Sequence, residues 1–101
     1  MSSRKPQQIT LSPKAQQDFI DILRYTGETW GEKQLLAYRD KINEALQAIS
    51  GNPQLGHHRD DLPPTHHAYL VGSHIIVYRM REDGVAVVRI LHQRMSLGKH
   101  V

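Results

Sequence analysis

The side chains that could do chemistry are concentrated in the second half of this chain. All seven histidines lie after residue 56, whereas the first half interleaves Lys and Arg with Asp and Glu. The cationic candidates are Arg79, Arg89 and Arg94, with His74 and His92 close to them in sequence. An arginine flanked by apolar residues on a strand needs a partner for its charge. A groove containing this set could bind an acidic partner segment or phosphates.

The same arginines could instead be neutralised inside the molecule. Asp18 and Asp21 lie on the first predicted helix, and either carboxylate could pair with a strand arginine such as Arg79 or Arg89. The sequence favours neither interpretation over the other, because the pattern does not show which face of the sheet the first helix covers.

Two histidine pairs, His57-His58 and His66-His67, raise the question of a metal site. Adjacent residues on a strand point to opposite faces, so neither pair can chelate an ion simply. The chain has no cysteine, and its histidines and carboxylates do not follow the spacing of a structural zinc site. We therefore expect exposed histidines, with no metal and no cofactor.

The first half predicts one strand and two helices. Gln8-Ile9-Thr10-Leu11 alternates like a strand, and Ser12-Pro13 is typical of a helix start, where Ser caps a free amide and Pro has none. Apolar residues then recur at spacings of three and four up to Trp30. Gly31 separates this helix from a second one over about residues 32–50. We expect Trp30 to seal the joint between the helices in the core; the alternative is a partner-binding hot spot.

The second half predicts three strands, over about residues 67–71, 74–80 and 85–91, with an Asp83-Gly84 hairpin turn between the last two. The order β-α-α-β-β-β indicates an α+β fold, with a helical hairpin packed on one face of a small antiparallel sheet. Ile75 and Val77 point to one face, whereas Ile76 and Tyr78 point to the other. Because only one face meets the helices, something else must cover the second.

The tail after the last strand lacks the periodicity of a helix. The 101 residues predict one domain, 1–101, with residues 1–7 and 96–101 flexible in the free protein. A basic, part-apolar end of this kind suits insertion into a partner. The residues expected to contact a target are Arg94, Met95, Leu97 and Lys99.

Several short motifs in this order resemble those of ParE toxins, a branch of the RelE/ParE toxin superfamily. They are Tyr25-Thr26 with Trp30-Gly31; Asn52-Pro53 with Gly56; Gly72-Ser73-His74; Val77-Tyr78-Arg79; and Val88-Arg89-Ile90-Leu91-His92-Gln93-Arg94-Met95. The resemblance covers nearly everything from Leu11 to Met95. Family members commonly place a Tyr-Arg pair where this chain has His66-His67, so a cation there would depend on pH.

The resemblance implies the toxin of a type II toxin–antitoxin system, with the RelE/ParE-like fold and no catalytic residues. It implies a ParD-type ribbon-helix-helix antitoxin in a hetero-oligomeric complex, and inhibition of DNA gyrase, which blocks replication. We expect an acidic antitoxin segment to cover the helices and the open sheet face. The residues expected in that groove are Arg79, Arg89, Tyr78, Tyr69 and His67.

The related RelE branch supplies the alternative, a ribosome-dependent mRNA endonuclease. Cleavage would need an acid, a base and cations for the phosphorane charge. His92 as base or acid, Tyr78 as acid, and Arg79 with Arg89 as charge stabilisers would be the candidates. A third hypothesis is a decayed member that binds an antitoxin and poisons nothing.

Charge and hydropathy set the expected surroundings. The formal charge of +3 permits a nucleic-acid or acidic-protein partner without requiring either. No stretch approaches the roughly 20 apolar residues that span a bilayer, and the N-terminus has no apolar run of signal-peptide length. We expect a soluble cytoplasmic protein that acts without a membrane and without sequence-specific DNA binding of its own.

Overall fold

The computed structural model describes residues 8–101 and confirms the predicted α+β order. Two helices and four strands follow the expected sequence, and short 3-10 turns lie on either side of the last three strands. The elements are β1 (Gln8–Leu11), α1 (Pro13–Trp30), α2 (Glu32–Gly51), β2 (His66–Val71), β3 (His74–Arg81) and β4 (Gly84–His92), with 3-10 turns at Pro53–Leu55 and Leu97–Lys99.

The sheet is mixed, whereas the sequence predicted an antiparallel one. Its order is β1-β4-β3-β2, with β2, β3 and β4 antiparallel to their neighbours and β1 parallel to β4. Helices α1 and α2 form an antiparallel hairpin that returns the chain to the side where it began, so the first strand pairs with the last in the same direction. Gly84 permits this pairing, because a Cβ on it would clash with the backbone of Gln8.

The start of α1 matches the sequence prediction in detail. Ser12 Oγ accepts a hydrogen bond from the Ala15 amide at 3.0 Å and donates one to the Val88 carbonyl at 2.7 Å. The same serine therefore caps the helix and attaches it to β4. Gly31 ends α1 with a φ of 94°, a left-handed conformation that favours glycine.

The main core lies between the helical hairpin and one face of the sheet. Its buried side chains alternate along the strands and recur at helical spacing along α1 and α2. They are Ala15, Ile22, Ile42, Ala45, Leu46, Ile49, Val71, Ile76, Tyr78, Val85, Val87 and Ile90.

The second face of the sheet is partly covered by segments of this chain. Leu62, from the loop before β2, and Leu97, from the tail, pack against Ala68, Ile75, Val77 and Leu91. The prediction that Leu97 is exposed for target binding is therefore wrong: its side chain is fully buried. A strand with apolar residues on both faces needs a second layer, and the tail turn at 97–99 supplies part of it.

Within residues 8–101, neither helix is apolar enough along its length to cross a membrane.

The tail turn should contribute to stability. Leu97→Ala removes a fully buried side chain and should lower the free energy of unfolding by about 2–5 kcal/mol, as other large core truncations do. Met95→Ala, at an exposed position in the same tail, is the matched control and should change it by less than about 0.5 kcal/mol. Urea unfolding followed by circular dichroism measures both. Equal midpoints for the Leu97 variant and the parent would show that the tail does not pack on the sheet.

Candidate functional site

Tyr78 does not lie in an open groove, as the sequence prediction placed it. Its side chain is fully buried on the helix-facing side of β3. The hydroxyl donates a hydrogen bond to the Pro53 carbonyl at 2.8 Å and accepts one from the Gly56 amide at 2.7 Å. A Cβ on Gly56 would overlap the Tyr78 ring and the His67 Cβ, so the glycine allows the loop to approach. Tyr78 therefore anchors the loop after α2.

His67 is also buried, although the sequence prediction placed it in the open groove with an exposed ring. It pairs with Tyr78 across β2 and β3, and the two rings stack with centroids 5.4 Å apart. The His58 ring is also close to His67, with the two ring centroids 4.6 Å apart. Burial, and then the neighbouring His58, lower the pKa of His67, so the ring is neutral at pH 7. The register of β2 with β3, which the sequence does not show, places His67 beside Tyr78 on the helix-facing side.

Arg89 takes the internal partner that the sequence offered as the alternative. Its Nε and Nη2 atoms donate to the two carboxylate oxygens of Asp18 at 2.8 and 2.9 Å. The Arg89 Nη1 atom also donates to the His100 carbonyl at 3.1 Å, and the Ile90 amide donates to Asp18 at 3.0 Å. The hydrogen bond to Asp18 raises the pKa of Arg89. Arg89 is therefore held in an internal ion pair and does not lie free in an open groove, as the sequence prediction placed it.

Arg79 remains exposed, on the sheet face opposite the helices. Across residues 8–101, no carboxylate lies within ion-pair distance of it. Tyr69, predicted for the same groove, lies on the other face, where it packs half-buried against the main core. Of the five residues predicted for the groove, only Arg79 presents a free charged group on the open face.

The tail residues divide into two groups. Arg94, Met95 and Lys99 are exposed as predicted, but Leu97 is buried between them. The tail therefore presents a short polar surface with one exposed thioether. The apolar pair that was expected to insert into a target is absent.

Trp30 is not in the core, contrary to prediction. Its side chain is 69% exposed, and Tyr25, one and a half turns earlier on the helix, is 65% exposed. The last residue of α1 that is buried is Ile22, so the final two turns of the helix extend beyond the core. Helical spacing alone predicted that the apolar stripe continues inward, because periodicity does not show where the opposing layer ends.

The exposed Trp30 and Tyr25 form the rim of an open aromatic cleft of about 600 Å³ at the end of the helical hairpin. Tyr38 and His74 form its inner wall, with the Tyr38 hydroxyl 2.6 Å from His74 Nδ1. The complete lining is Tyr25, Thr26, Trp30, Gln34, Tyr38, Ser73, His74 and His92.

The inner wall of the aromatic cleft is held in place and uncharged. The Ser73 amide donates to the Tyr38 hydroxyl at 3.2 Å, and the Arg94 amide donates to His92 Nδ1 at 3.1 Å. Burial, and then the nearby His92, lower the pKa of His74 to about 4, so His74 is neutral at pH 7. An inner wall held by hydrogen bonds, with an exposed aromatic rim, suits an uncharged, largely apolar group.

The ribonuclease set is not brought together by the fold. His92 is paired with His74, whereas Arg79 is paired with Ala86. Five residues along β3 separate these positions, which is roughly 17 Å, and they lie on opposite faces of the sheet. Tyr78 and Arg89 are engaged in structural hydrogen bonds. In the part of the chain that the structure describes, no group of three metal-ligating side chains converges either.

The two strand arginines should differ sharply when each is changed to a neutral side chain. Arg89→Gln leaves the Asp18 carboxylate with a poorly solvated charge and should cost about 3 kcal/mol of stability. Arg79→Gln removes an exposed charge and should cost less than about 0.5 kcal/mol. Chemical denaturation of both variants tests this, with Asp18→Asn/Arg89→Gln as the double variant. The double variant should lose less free energy of unfolding than the sum of the losses of the two single variants. Equal stabilities of the Arg79 and Arg89 variants would contradict the structural role of Arg89.

Trp30 should be dispensable for folding. Trp30→Ala should lower the free energy of unfolding by no more than about 1 kcal/mol, because the side chain has little buried area to lose. Ile42→Ala, on the buried side of α2, is the positive control and should cost about 2–5 kcal/mol. Thermal melts measure both. A Trp30 variant as unstable as the Ile42 variant would restore the core assignment.

Comparison with known proteins agrees with this geometry. Residues 9–97 match the family described as the ParE toxin of the type II toxin-antitoxin system, parDE. The chain is 34% identical to Toxin ParE1 of Mycobacterium tuberculosis (strain CDC 1551 / Oshkosh), and the alignment covers 100% of both chains. It is 30% identical to Toxin ParE1 of Caulobacter vibrioides, with 90% of this chain and 94% of the relative covered.

Two solved structures share the fold at lower identity. A chain of the chromosomal ParDE system from P. aeruginosa matches with a TM-score of 0.74 and 16% identity, over 87% of this chain and 97% of that chain. The YoeB dimer from Staphylococcus aureus matches with a TM-score of 0.63 and 20% identity, over 86% and 97%. With the family match over residues 9–97 and a relative aligned end to end, the chain belongs to the ParE toxin family of type II toxin–antitoxin systems.

Proposed function

We propose that this ParE family toxin acts by binding, that it inhibits DNA gyrase and thereby blocks replication, and that a ParD-type antitoxin neutralises it. The proposal rests on one observation: the side chains that could catalyse RNA cleavage are either engaged in structural hydrogen bonds or lie far apart. Tyr78 and Arg89 are committed to internal hydrogen bonds, and Arg79 is far from His92. The exposed groups that remain are suited to holding a partner.

The aromatic cleft supports a protein partner. Tryptophan and tyrosine are enriched among the residues that dominate binding energies, because they bury large areas with few rotatable bonds. Trp30 and Tyr25 are largely exposed beside an inner wall that is already held in place. A partner that inserts an apolar side chain there gains contact area without ordering the wall.

The antitoxin is proposed from the complexes in which similar folds occur. The P. aeruginosa match comes from a ParDE system, and this chain presents the exposed cation Arg79 on the sheet face opposite the helices. The acidic residues of an amphipathic antitoxin segment would neutralise the positive charge of Arg79 on that face. Its apolar residues would cover the aromatic cleft at the end of the helical hairpin. The expected assembly is a hetero-oligomer with a ribbon-helix-helix antitoxin.

Gyrase inhibition has a direct test. The purified toxin should inhibit supercoiling of relaxed plasmid by DNA gyrase or accumulate cleaved plasmid, and preincubation with the ParD-type antitoxin should restore supercoiling. Leu97→Ala, if it unfolds, serves as an inactive control for nonspecific effects of added protein. Unchanged supercoiling, together with mRNA cleavage in a translating lysate, would replace this proposal with the ribosome-dependent endonuclease.

A further inference from the structure

A single row of residues crosses all four strands on the sheet face that the helices do not cover. His66 on β2 is paired with Arg79 on β3, Arg79 with Ala86 on β4, and Ala86 with Thr10 on β1. On each strand a chain neighbour of the row lies on the helix-facing side: Tyr78, Val85 and Val87 belong to the main core, Ile9 and Leu11 pack against it, and His67 stacks on Tyr78. By alternation, the row itself projects from the second face.

The row forms the floor of a groove, which we call the cationic groove. Thr10 and Ala86 have short side chains, and Gly84, two residues from Ala86 along β4, has none, so the floor is low. The resulting volume is about 370 Å³. Farther along the same face, Leu62 and Leu97 cover the sheet. The second face is thus half covered by the chain and half open.

Two arginines occupy one side of the cationic groove. Arg79 and Arg81 are two residues apart on β3 and line the groove together, so their stems are about 7 Å apart along the strand. In residues 8–101, the carboxylate nearest to Arg81 is that of Asp83, at 3.9 Å between half-exposed groups. Arg79 has no such partner in that range. An ion pair at that distance between half-exposed groups stabilises the fold little. The guanidinium groups of both Arg79 and Arg81 are therefore available to a ligand.

The electrostatics of His66 agree with an uncompensated positive groove. Burial lowers the pKa of this histidine, and the positive charge of Arg79 lowers it further. A carboxylate close to the ring would act in the opposite direction. His66 therefore contributes a neutral imidazole to the groove at pH 7, and the positive charge there comes from the two arginines.

The spacing of the two arginines and the residues that line the cationic groove indicate which class of ligand it binds. Side chains two apart on an extended peptide lie on one face at the same interval of about 7 Å, and each carboxylate matches the fork of a guanidinium. Single-stranded nucleic acid would also need aromatic rings on which its bases stack. The residues of the described chain that line the groove are Thr10, Leu11, Ser12, His66, Arg79, Arg81, Ala86, Val87 and Val88, without an aromatic side chain other than the imidazole.

We propose that the cationic groove binds an extended acidic segment of a protein partner, with Arg79 and Arg81 each holding one of two carboxylates that are two residues apart. This inference rests on the proposed function only in one respect, which is that the partner is identified as the antitoxin. Ala86 and Gly84 on β4, which are paired with Arg79 and Arg81, form the low floor along which the segment lies. The motif expected in the partner is therefore an acidic residue, any residue and a second acidic residue in extended conformation.

The proposal is tested with the full-length toxin and the acetylated, amidated peptide Thr-Glu-Val-Glu-Val-Thr as probe. An NMR titration follows the backbone amides and the arginine Nε–H groups, which detects weak binding. The signals of Arg79, Arg81 and Ala86 should shift and saturate. Arg79→Ala and Arg81→Ala should each weaken binding about tenfold, as expected for loss of a charge-assisted hydrogen bond. Arg79→Lys should recover only part of the loss, because lysine lacks the fork.

Two controls separate recognition from general charge attraction. Arg24→Ala removes the same charge from the exposed surface of α1 and should leave peptide affinity within about twofold, since separated surface charges are screened by salt. The Gln-for-Glu version of the peptide should not bind. The proposal is overturned if the shifts map to the helices, if they are absent at the highest soluble peptide concentration, or if Arg24→Ala weakens binding as much as Arg79→Ala.

The nucleic-acid alternative and the proposed function are distinguished by separate measurements. A short oligouridylate that shifts the same signals at lower concentration than the peptide would replace the acidic segment with RNA. Gyrase inhibition is measured on the unmodified toxin without peptide, so its failure would remove the proposed target and leave the cationic groove intact. Conversely, a toxin that inhibits gyrase but does not bind the peptide retains its proposed target and loses this subsite.

Discussion

The carboxylate of Asp18 holds the ends of this small fold together. It accepts two hydrogen bonds from Arg89 and one from the Ile90 amide, while Arg89 also reaches the His100 carbonyl. One ion pair thus joins the first helix, the last strand and the tail. Both side chains are only about 15% exposed, so water cannot readily replace either partner, and loss of one would leave the other charge poorly solvated.

The need for this contact follows from the length of β1. That strand ends at Leu11, so β4 has no strand neighbour beyond Val87 on that side. An uncovered strand edge exposes unpaired backbone groups, and Asp18 satisfies the Ile90 amide in place of a strand. The register also shifts within β4, where Val88 is passed over between the pairs of Val87 and Arg89. Such a bulge redirects side chains, and here Arg89 faces the helix carboxylate.

The covering of the sheet determines which surfaces remain for partners. Helices cover one face, and Leu62 with Leu97 cover half of the other. Two open regions of different chemistry are left: the aromatic cleft at the end of the helical hairpin and the cationic groove on the second face. A partner that spans both would need apolar and acidic residues, which is the character proposed for the antitoxin segment. Groups that would suit catalysis are mostly used for structure, as with Tyr78 and its loop.

The sequence by itself determined the local elements, because each depends on residues within one or two turns. Ser12-Pro13 started a helix, Gly31 divided the hairpin, and Asp83-Gly84 joined the last two strands as expected. The motifs shared with ParE toxins also identified the family. Tertiary structure decided whatever depended on residues far apart in the chain. In the folded protein β1 pairs with β4 in parallel, and Arg89 forms an ion pair with Asp18, 71 residues away.

The same distinction explains the positions that were predicted wrongly. Periodicity places Trp30 on the apolar stripe of the first helix and leaves Leu97 in a tail without a pattern. Whether either side chain is buried depends on whether another layer of the protein packs against it. Within residues 8–101, nothing covers most of the Trp30 side chain at the end of α1, so it is exposed. The second face of the sheet lies opposite the tail, so Leu97 is buried. Hydropathy shows which side chains gain from leaving water. Only the packed fold decides which of them find a surface to cover.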